Sequence, residues 1–390
     1  MQNIEKIEQV LILGLGGGGG KVVEKICQLP EAAGIQLCVF DTDRGALERL
    51  TGLPEECKVL CNEQWLLGHG TGGDPLKGQR ALASESGKLQ QFMSNAKLLI
   101  IVGGLGGGTA TGGAGVISRL AHSHNLAAVS LFELPFAFEG HGRRKTAEDG
   151  MRELLALSDT ILGIPNDLLF SVLPAETTFA DAFQLADTEL ARTVLGIVDV
   201  LMPGNLLSGD MGDLITMLKN RKSYAAIGVG SGNEAVALDS CVQALSGVLD
   251  SPFLGGAQKL KEADAVLLSV TGGSELTYAE LKRTLEQAGT LTGLTSQVIV
   301  GANIRSTLTT QVRITAIAVK YDEADAVVRP EQKAAKVSRR KIKRQPDQPT
   351  LPLTIASSGI FEGKTGTIVD GVNLDLPTFV RKQIAIDSGE

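Results

Sequence analysis

The stretch LLIIVGGLGGGTATGGAG, residues 98–115, sets five unbroken apolar residues before eight glycines in thirteen positions. An apolar run without alternation reads as a strand buried on both faces, the habit of a parallel sheet flanked by helices. The glycines fall where such a strand gives way to a helix. Backbone N–H groups with no Cβ beside them can wrap a phosphate there, helped by the helix N-terminus. An earlier stretch, VLILGLGGGGGKVV at 10–23, repeats the plan with six glycines between positions 14 and 20. A tight strand-to-helix turn needs only one or two, so six point to a bound phosphate. The run contains GxGxxG (Gly14, Gly16, Gly19), with Asp41 and Asp43 22 and 24 residues after Gly19, the spacing of a dinucleotide fingerprint. A dinucleotide fold uses one such loop. Two, converging on the carboxyl edge of one sheet, imply a polyphosphate gripped from both sides, with Thr109 and Thr111 adding hydroxyls. The ordinary P-loop is excluded, because Leu15 and Val22 stand where GxxxxGK[ST] needs Gly and Ser or Thr.

The rest of the first half keeps this rhythm. Val10–Leu13, Leu37–Phe40, Leu98–Val102, Ala127–Phe132 and Thr160–Ile164 read as buried strands. Stretches around 20–28, 77–97, 109–122 and 144–157 have helical spacing. Phe179 to Met202 reads as one long helix, its apolar positions (Phe183, Ala186, Leu190, Val194, Ile197, Val198, Leu201) recurring at three- and four-residue steps until Pro203-Gly204 ends it. Residues 205–322 read as a second domain, with strands near Ala225–Val229, Ala265–Val270, Gln297–Val300 and Val312–Val319. Residues 331–346 hold seven Lys or Arg against one acid and lead into Pro346, Pro349 and Pro352, the composition of a solvated linker. The expected organisation is 1–178 nucleotide-binding domain, 179–202 connecting helix, 203–322 C-terminal domain, 323–370 linker and 371–390 docking peptide.

Composition narrows the function classes. The chain has 390 residues, 43% hydrophobic and 21% charged, a globular make-up. Its net charge of −7 is split: residues 1–330 carry −10 and residues 331–390 carry +3. An acidic body does not suit phosphate-backbone binding, and 4% aromatics do not make a base-stacking platform, so no nucleic acid is expected. The five cysteines have no CxxC spacing and imply neither disulfides nor structural zinc, as in a reducing cytosol. The N-terminus lacks a signal pattern, and no apolar run is long enough to span a bilayer, so no direct membrane insertion is expected.

The second loop also carries a resemblance. GGGTATG (106–112) resembles the GGGTGTG signature of the tubulin/FtsZ family of GTPases, and GLGGGGGK (14–21) resembles that family's first nucleotide loop, GxGGGGxN. The similarity continues in order. DTDRGAL (41–47) resembles NTDAQAL, GHGTGGDPLKG (68–78) resembles GLGAGANPEVG, PFAFEGHGRR (135–144) resembles PFxFEGxxR, and IPNDLLF (164–170) resembles IPNDKLL. The terminal LDLPTFVRKQ (374–383) is similar to the LDIPxFLRKQ tail peptide of the FtsZ branch. Together these span nearly the whole chain. The resemblance implies an α/β fold: a Rossmann-like GTPase domain with a parallel sheet, a long central helix, a smaller α+β C-terminal domain, and a disordered linker with a tail peptide. It implies GTP or GDP with Mg²⁺ held largely through phosphate oxygens and water, and no metal site built of protein ligands. It further implies head-to-tail self-assembly, GTP hydrolysis between subunits, a cytoplasmic ring at mid-cell, and docking of membrane-tethering and regulatory division proteins on residues 373–383.

Carried over residue by residue, the family pattern assigns the phosphates to Gly17, Gly18, Gly19, Gly20 and Lys21 and to Gly106, Gly107, Gly108, Thr109, Ala110 and Thr111. Glu139 and Arg143 lie near ribose and phosphate, a carboxylate accepting from a 2′-OH and an arginine matching phosphate oxygens. By themselves they read first as a solvated surface ion pair, since such pairs are common. Asn166 matches a position near sugar and base, and alone reads as an Asx turn after Pro165. Phe183 and Asp187 are four apart and share a helix face, so a ring can stack on a purine while the carboxylate accepts from guanine N1 and N2. Ser208, Asp210 and Asp213 match the family's NxDxxD loop, which enters the neighbouring subunit's pocket and orients the attacking water. Asp at a helix start is also a common cap. Three departures stand out: Ser208 for Asn, Ala110 for the middle glycine of GTG, and Lys21 for Asn. Two rival readings remain, a nicotinamide-dependent oxidoreductase built on GxGxxG and Asp41, and a filament protein of the same superfamily with another role and little GTPase activity.

Overall fold

Strand β1 (Val10–Leu15) is buried at all six positions, as a continuous apolar run between two parallel neighbours requires. The other strands are β2 (Gln36–Asp41), β3 (Lys58–Leu60), β4 (Leu98–Gly104), β5 (Ala127–Leu134), β6 (Thr160–Pro165), β7 (Ser223–Gly232), β8 (Ala265–Gly272), β9 (Gln297–Ile304) and β10 (Val312–Tyr321). They form one sheet in the order β3-β2-β1-β4-β5-β6-β7-β10-β8-β9. This computed structural model describes residues 9–29, 32–158, 160–167, 177–199, 223–234, 236–251, 253–292, 297–304, 311–321, 368–369 and 372–373. Strands β1 to β6 make a six-stranded parallel half with the order of a Rossmann-like unit. A smaller C-terminal half follows, with β10 antiparallel to both β7 and β8, and β9 parallel to β8. The halves meet through two register pairs, Thr160 with Ser223 and Ile161 with Tyr224.

Each face of the parallel half is covered. Helices α1 (Gly16–Cys27) and α6 (Phe179–Asp199) bury Val22, Ile26, Leu190 and Val194 against Ile12, Ile100 and Val129. On the opposite face α2 (Pro75–Ser84), α3 (Ser86–Met93), α4 (Gly108–Ser123) and α5 (His141–Leu155) bury Leu82, Leu89, Ile117 and Leu154 against Leu11, Leu13 and Ile101. Alternate residues of one strand thus serve two cores, which is why the strands show no polar alternation. The apolar stripe of α6 falls where its spacing places it, and the same cluster continues into Leu267 and Ile317 of the C-terminal half. Helices α7 (Ala237–Asp250) and α8 (Tyr278–Gly289) cover that half through Val248 and Leu281. By contacts, residues Met1–Arg329 make one compact unit and Pro330–Glu390 another. Within the second, Ile368–Val369 pairs with Val372–Asn373 as a small antiparallel hairpin.

Three local differences from the sequence reading have physical causes. The 77–97 stretch is two helices rather than one. Asp74 caps α2 by accepting from the Leu76 N–H, and the Ser84 and Ser86 hydroxyls donate to the Ala81 and Ala83 carbonyls where the helix breaks at Glu85. Helix α1 begins at Gly16, so most of the first glycine run is helix rather than loop. Strand β3 spans three residues and is too short to show a period; α7 and α8 are likewise absent from that reading. Apart from the paired strands Ile368–Val369 and Val372–Asn373, the expected linker and tail peptide lie outside the described residues, as does the 200–222 segment with Pro203-Gly204.

Candidate functional site

Helices α1 and α4 start directly after β1 and just beyond β4, neighbours in the sheet, so their N-termini open side by side at its carboxyl edge. Neither has a side-chain cap. Their first-turn N–H groups therefore remain free for an anion, with the positive ends of both helix dipoles behind them. Between them lies a cleft of about 170 Å³. Gly16, Gly17 and Gly18 form one wall and Gly107, Gly108, Thr109 and Ala110 another; Glu133, Glu139, Arg143 and Asn166 complete the rim.

The glycines divide by role. A Cβ on Gly19 would run into the Val102 carbonyl, and one on Gly20 would stand 2.8 Å from Leu50 Cδ1. These two let α1 approach the sheet and do not line the cleft. Gly17 meets nothing nearer than the Ala46 methyl at 4.0 Å, so its missing side chain leaves space for a ligand. Gly106 has φ +94° and packs on Arg143, where a Cβ would lie 2.8 Å from that side chain's Cγ. The Thr111 hydroxyl accepts from the Gly106 N–H at 2.9 Å, bracing the turn from beneath. The Thr109 hydroxyl shares a 2.7 Å hydrogen bond with Thr42. The Ala110 methyl packs in the core at 4% exposure, so this departure from the GTG pattern projects no bulk into the cleft.

The polar rim is pre-arranged. Arg143 Nη1 sits 3.0 Å from Glu139 Oε2, while Glu139 Oε1 accepts from the Phe136 N–H at 2.8 Å. Asn166 Oδ1 is buried with no hydrogen-bond partner among the described residues, an acceptor awaiting a donor. On α6, Phe183 meets Phe136 edge-on at 5.7 Å, and Phe136 stacks on the exposed Phe138 at 4.8 Å. Phe136 and Phe138 were legible as aromatics in PFAFEG but carried no site assignment. Asp187 lies one turn beyond Phe183, pushed up to about 6 by burial, with Lys21 and Lys25 pulling it down. Lys21 itself is exposed and lies near Asp187 and Glu133. Neither Phe183 nor Asp187 lines the cleft itself. Ser208, Asp210 and Asp213 lie outside the described residues.

The two acids that a nicotinamide reading would use are engaged elsewhere. Asp43 caps the short helix Arg44–Glu48 by accepting from the Ala46 N–H. Asp41 is 3% exposed, with Oδ1 accepting from the Thr42 and Asp43 N–H groups and Oδ2 without a hydrogen-bond partner among the described residues. Burial, the largest cause, pushes Asp41 up to about 6. The folded state therefore holds this proton through a range where the unfolded chain has lost it, so stability falls as pH rises from about 4 to about 6. Asp41→Asn should unfold at higher urea at pH 8, by ~2 kcal/mol, and lose the part of the acid-side slope that Asp41 supplies. Equal urea midpoints for the two proteins at pH 8 would refute this.

Comparison with known proteins places this geometry. Residues 9–174 match the family model described as tubulin/FtsZ family, GTPase domain, and residues 223–322 match FtsZ family, C-terminal domain. Cell division protein FtsZ of Rickettsia conorii is 30% identical over 327 residues, 84% of this chain and 70% of that protein. Among solved structures, an FtsZ dimer from M. jannaschii superposes with TM-score 0.71 at 27% identity, covering 80% of this chain and 88% of that one. CetZ1 from Haloferax volcanii has the same fold, with TM-score 0.66 at 19% identity over 80% of this chain and 93% of its own.

Proposed function

This chain belongs to the tubulin/FtsZ family, and on that premise we propose that it binds and hydrolyses GTP and assembles into a filament that serves cell division. The observation that carries the reading is the pair of uncapped helix N-termini opening on one cleft beside Arg143 and the unpartnered Asn166. A polyphosphate fits there: the first-turn N–H groups of α1 and α4 receive its oxygens, and Arg143 adds a fixed positive charge. Asn166 Oδ1 accepts from a ribose or base donor. Phe183 offers a ring face to the purine, and the Asp187 carboxylate, ionised above about pH 6, accepts from guanine N1 and N2. Adenine has no such donor pair, so the acid selects guanine. Mg²⁺ carried by the nucleotide would be held by phosphate and water rather than by protein ligands, and would supply charge neutralisation beside Arg143.

Asp210 and Asp213 act on the nucleotide of the next subunit in a head-to-tail polymer, orienting the water that attacks the γ-phosphate. Ser208 stands where the family has an amide, which removes one group able to hold that water. Residues 373–383 carry Leu374, Leu376, Phe379 and Val380 beside Arg381 and Lys382, a mixture suited to docking membrane-tethering and regulatory proteins. Such docking would keep the filament on the cytoplasmic side of the division site.

The test is phosphate release from GTP with Mg²⁺ across a range of protein concentrations, with light scattering read on the same samples. Specific activity rising from near zero above a threshold, in step with scattering, is expected. Activity strictly proportional to protein at every concentration would place the whole active site within one subunit and end the shared-site reading.

A further inference from the structure

Glu133 is the penultimate residue of β5 and stands at the cleft between α1 and α4. The pairing of β5 with β4 sets it opposite Gly104, and its carboxyl lines the cleft from that side. Its Oε2 is 3.6 Å from where a Cβ on Gly18 would stand and 3.8 Å from the corresponding point on Gly104, which puts it between the two glycine turns. The carboxyl has no hydrogen bond or ion pair among the described residues. The charges facing it are Lys21 from α1, Asp187 from α6 and Glu139 from the rim; Lys25 faces Asp187, and Arg143 is held by Glu139. An ionised carboxylate at this place would confront phosphate oxygens directly, and two anions in contact within a partly desolvated cleft repel strongly. A neutral carboxyl does the opposite, because its O–H is a donor.

Resting on the GTP reading above, we infer that Glu133 binds the polyphosphate as the neutral acid, its O–H donating to a phosphate oxygen between the two glycine turns, so that above neutrality binding one nucleotide takes up a proton from solvent. Burial pushes this carboxyl up to about 7, with Asp187 and Glu139 adding to the rise and Lys21 offsetting it. Protonation is therefore easy near neutrality, and it becomes the step that limits affinity above it. Glu133 is a specificity residue for the charge state of the ligand site, and it links assembly to pH through nucleotide occupancy.

The experiment is titration calorimetry of GDP into the full chain and into Glu133→Gln, with Mg²⁺ and with chelator, from about pH 6 to about pH 8.5 in buffers of differing ionisation heat. Glutamine keeps a donor and cannot ionise. Relative to the variant, the wild type should lose about tenfold in affinity for each pH unit above 7 and take up close to one extra proton near pH 8. Parallel pH profiles for the two proteins would overturn the inference. So would GDP binding that depends on Mg²⁺ in the wild type and is lost in the variant at every pH, since the carboxylate would then act as an anion bridged by the metal. Proton uptake by the wild type decides alone should the variant not fold: none near pH 8 refutes the neutral acid. If the wild type binds no GDP at any pH, it is the nucleotide reading itself that falls.

Discussion

Asp210→Ala should bind GTP and assemble as the wild type does, while its phosphate release above the assembly threshold falls by about 100-fold, the scale of losing a positioned acid–base group. Asp210 belongs to the SGDMGD segment, which lies outside the described residues, whereas Arg143 lines the cleft between α1 and α4. Binding and hydrolysis are then separable by mutation, and the two halves of the active site can be carried by different molecules. Arg143→Ala makes the complementary defect, since it removes the charge at the cleft and keeps the 208–213 loop. Neither protein alone should turn over GTP well. Mixed, they should recover part of the activity, because the Asp210→Ala subunit presents bound GTP to an Arg143→Ala neighbour whose Asp210 is intact. A mixture no more active than its parts, with scattering still present, would locate both functions in one subunit. Undiminished turnover by Asp210→Ala would remove this loop from the chemistry altogether.

Within the first glycine run, Gly19→Ala and Gly17→Ala should fail in different ways. The methyl of Gly19→Ala meets the Val102 carbonyl, with Val102 C at 3.0 Å and Gly103 Cα at 3.2 Å behind it. All three are backbone atoms of a central strand, held by β1 on one side and β5 on the other, so nothing nearby yields cheaply. A destabilisation of at least ~3 kcal/mol is expected, enough to unfold a marginally stable domain or leave it aggregated on expression. Gly17→Ala meets only the Ala46 methyl at ordinary contact distance. Its helix should gain up to about 1 kcal/mol from the better helix former, and the thermal midpoint should hold or rise. Its GTP affinity should nevertheless drop by about tenfold or more, because the new methyl stands where the phosphate approaches the α1 backbone. A Gly19→Ala protein that melts and binds like the wild type would contradict the close-packing role; a Gly17→Ala protein with unchanged affinity would move the phosphate away from this wall.

Nine of the ten strands of the sheet, all but the three-residue β3, were legible in the amino-acid sequence, as were the two glycine-rich strand-to-helix junctions, the long apolar stripe of α6, and the family. Each of these is written in one dimension, because an uninterrupted apolar run, a glycine cluster or a 3.6-residue period sets local geometry without reference to distant chain. It also brought Gly17, Gly18, Gly107, Gly108, Thr109, Glu139, Arg143 and Asn166 forward as site residues, and these do line one cleft. What it could not decide is which atoms face that cleft. Gly19 and Gly20 belong to the same run as Gly17 yet serve packing, because α1 presents alternate sides to the sheet and to the ligand space. Thr111 braces the Gly106 turn, and the Ala110 methyl turns into the core. Asp41, spaced like a ribose acceptor, is sealed beneath the sheet edge. Glu133 shows the limit most plainly. Nothing in SLFELPF marks it, and its place in the cradle exists only because the β4–β5 register sets it opposite Gly104 while α1 brings Gly18 to its carboxyl. Register and helix approach are long-range quantities, fixed by packing of the whole sheet, and so it takes the folded chain to put a carboxyl group between the two glycine turns.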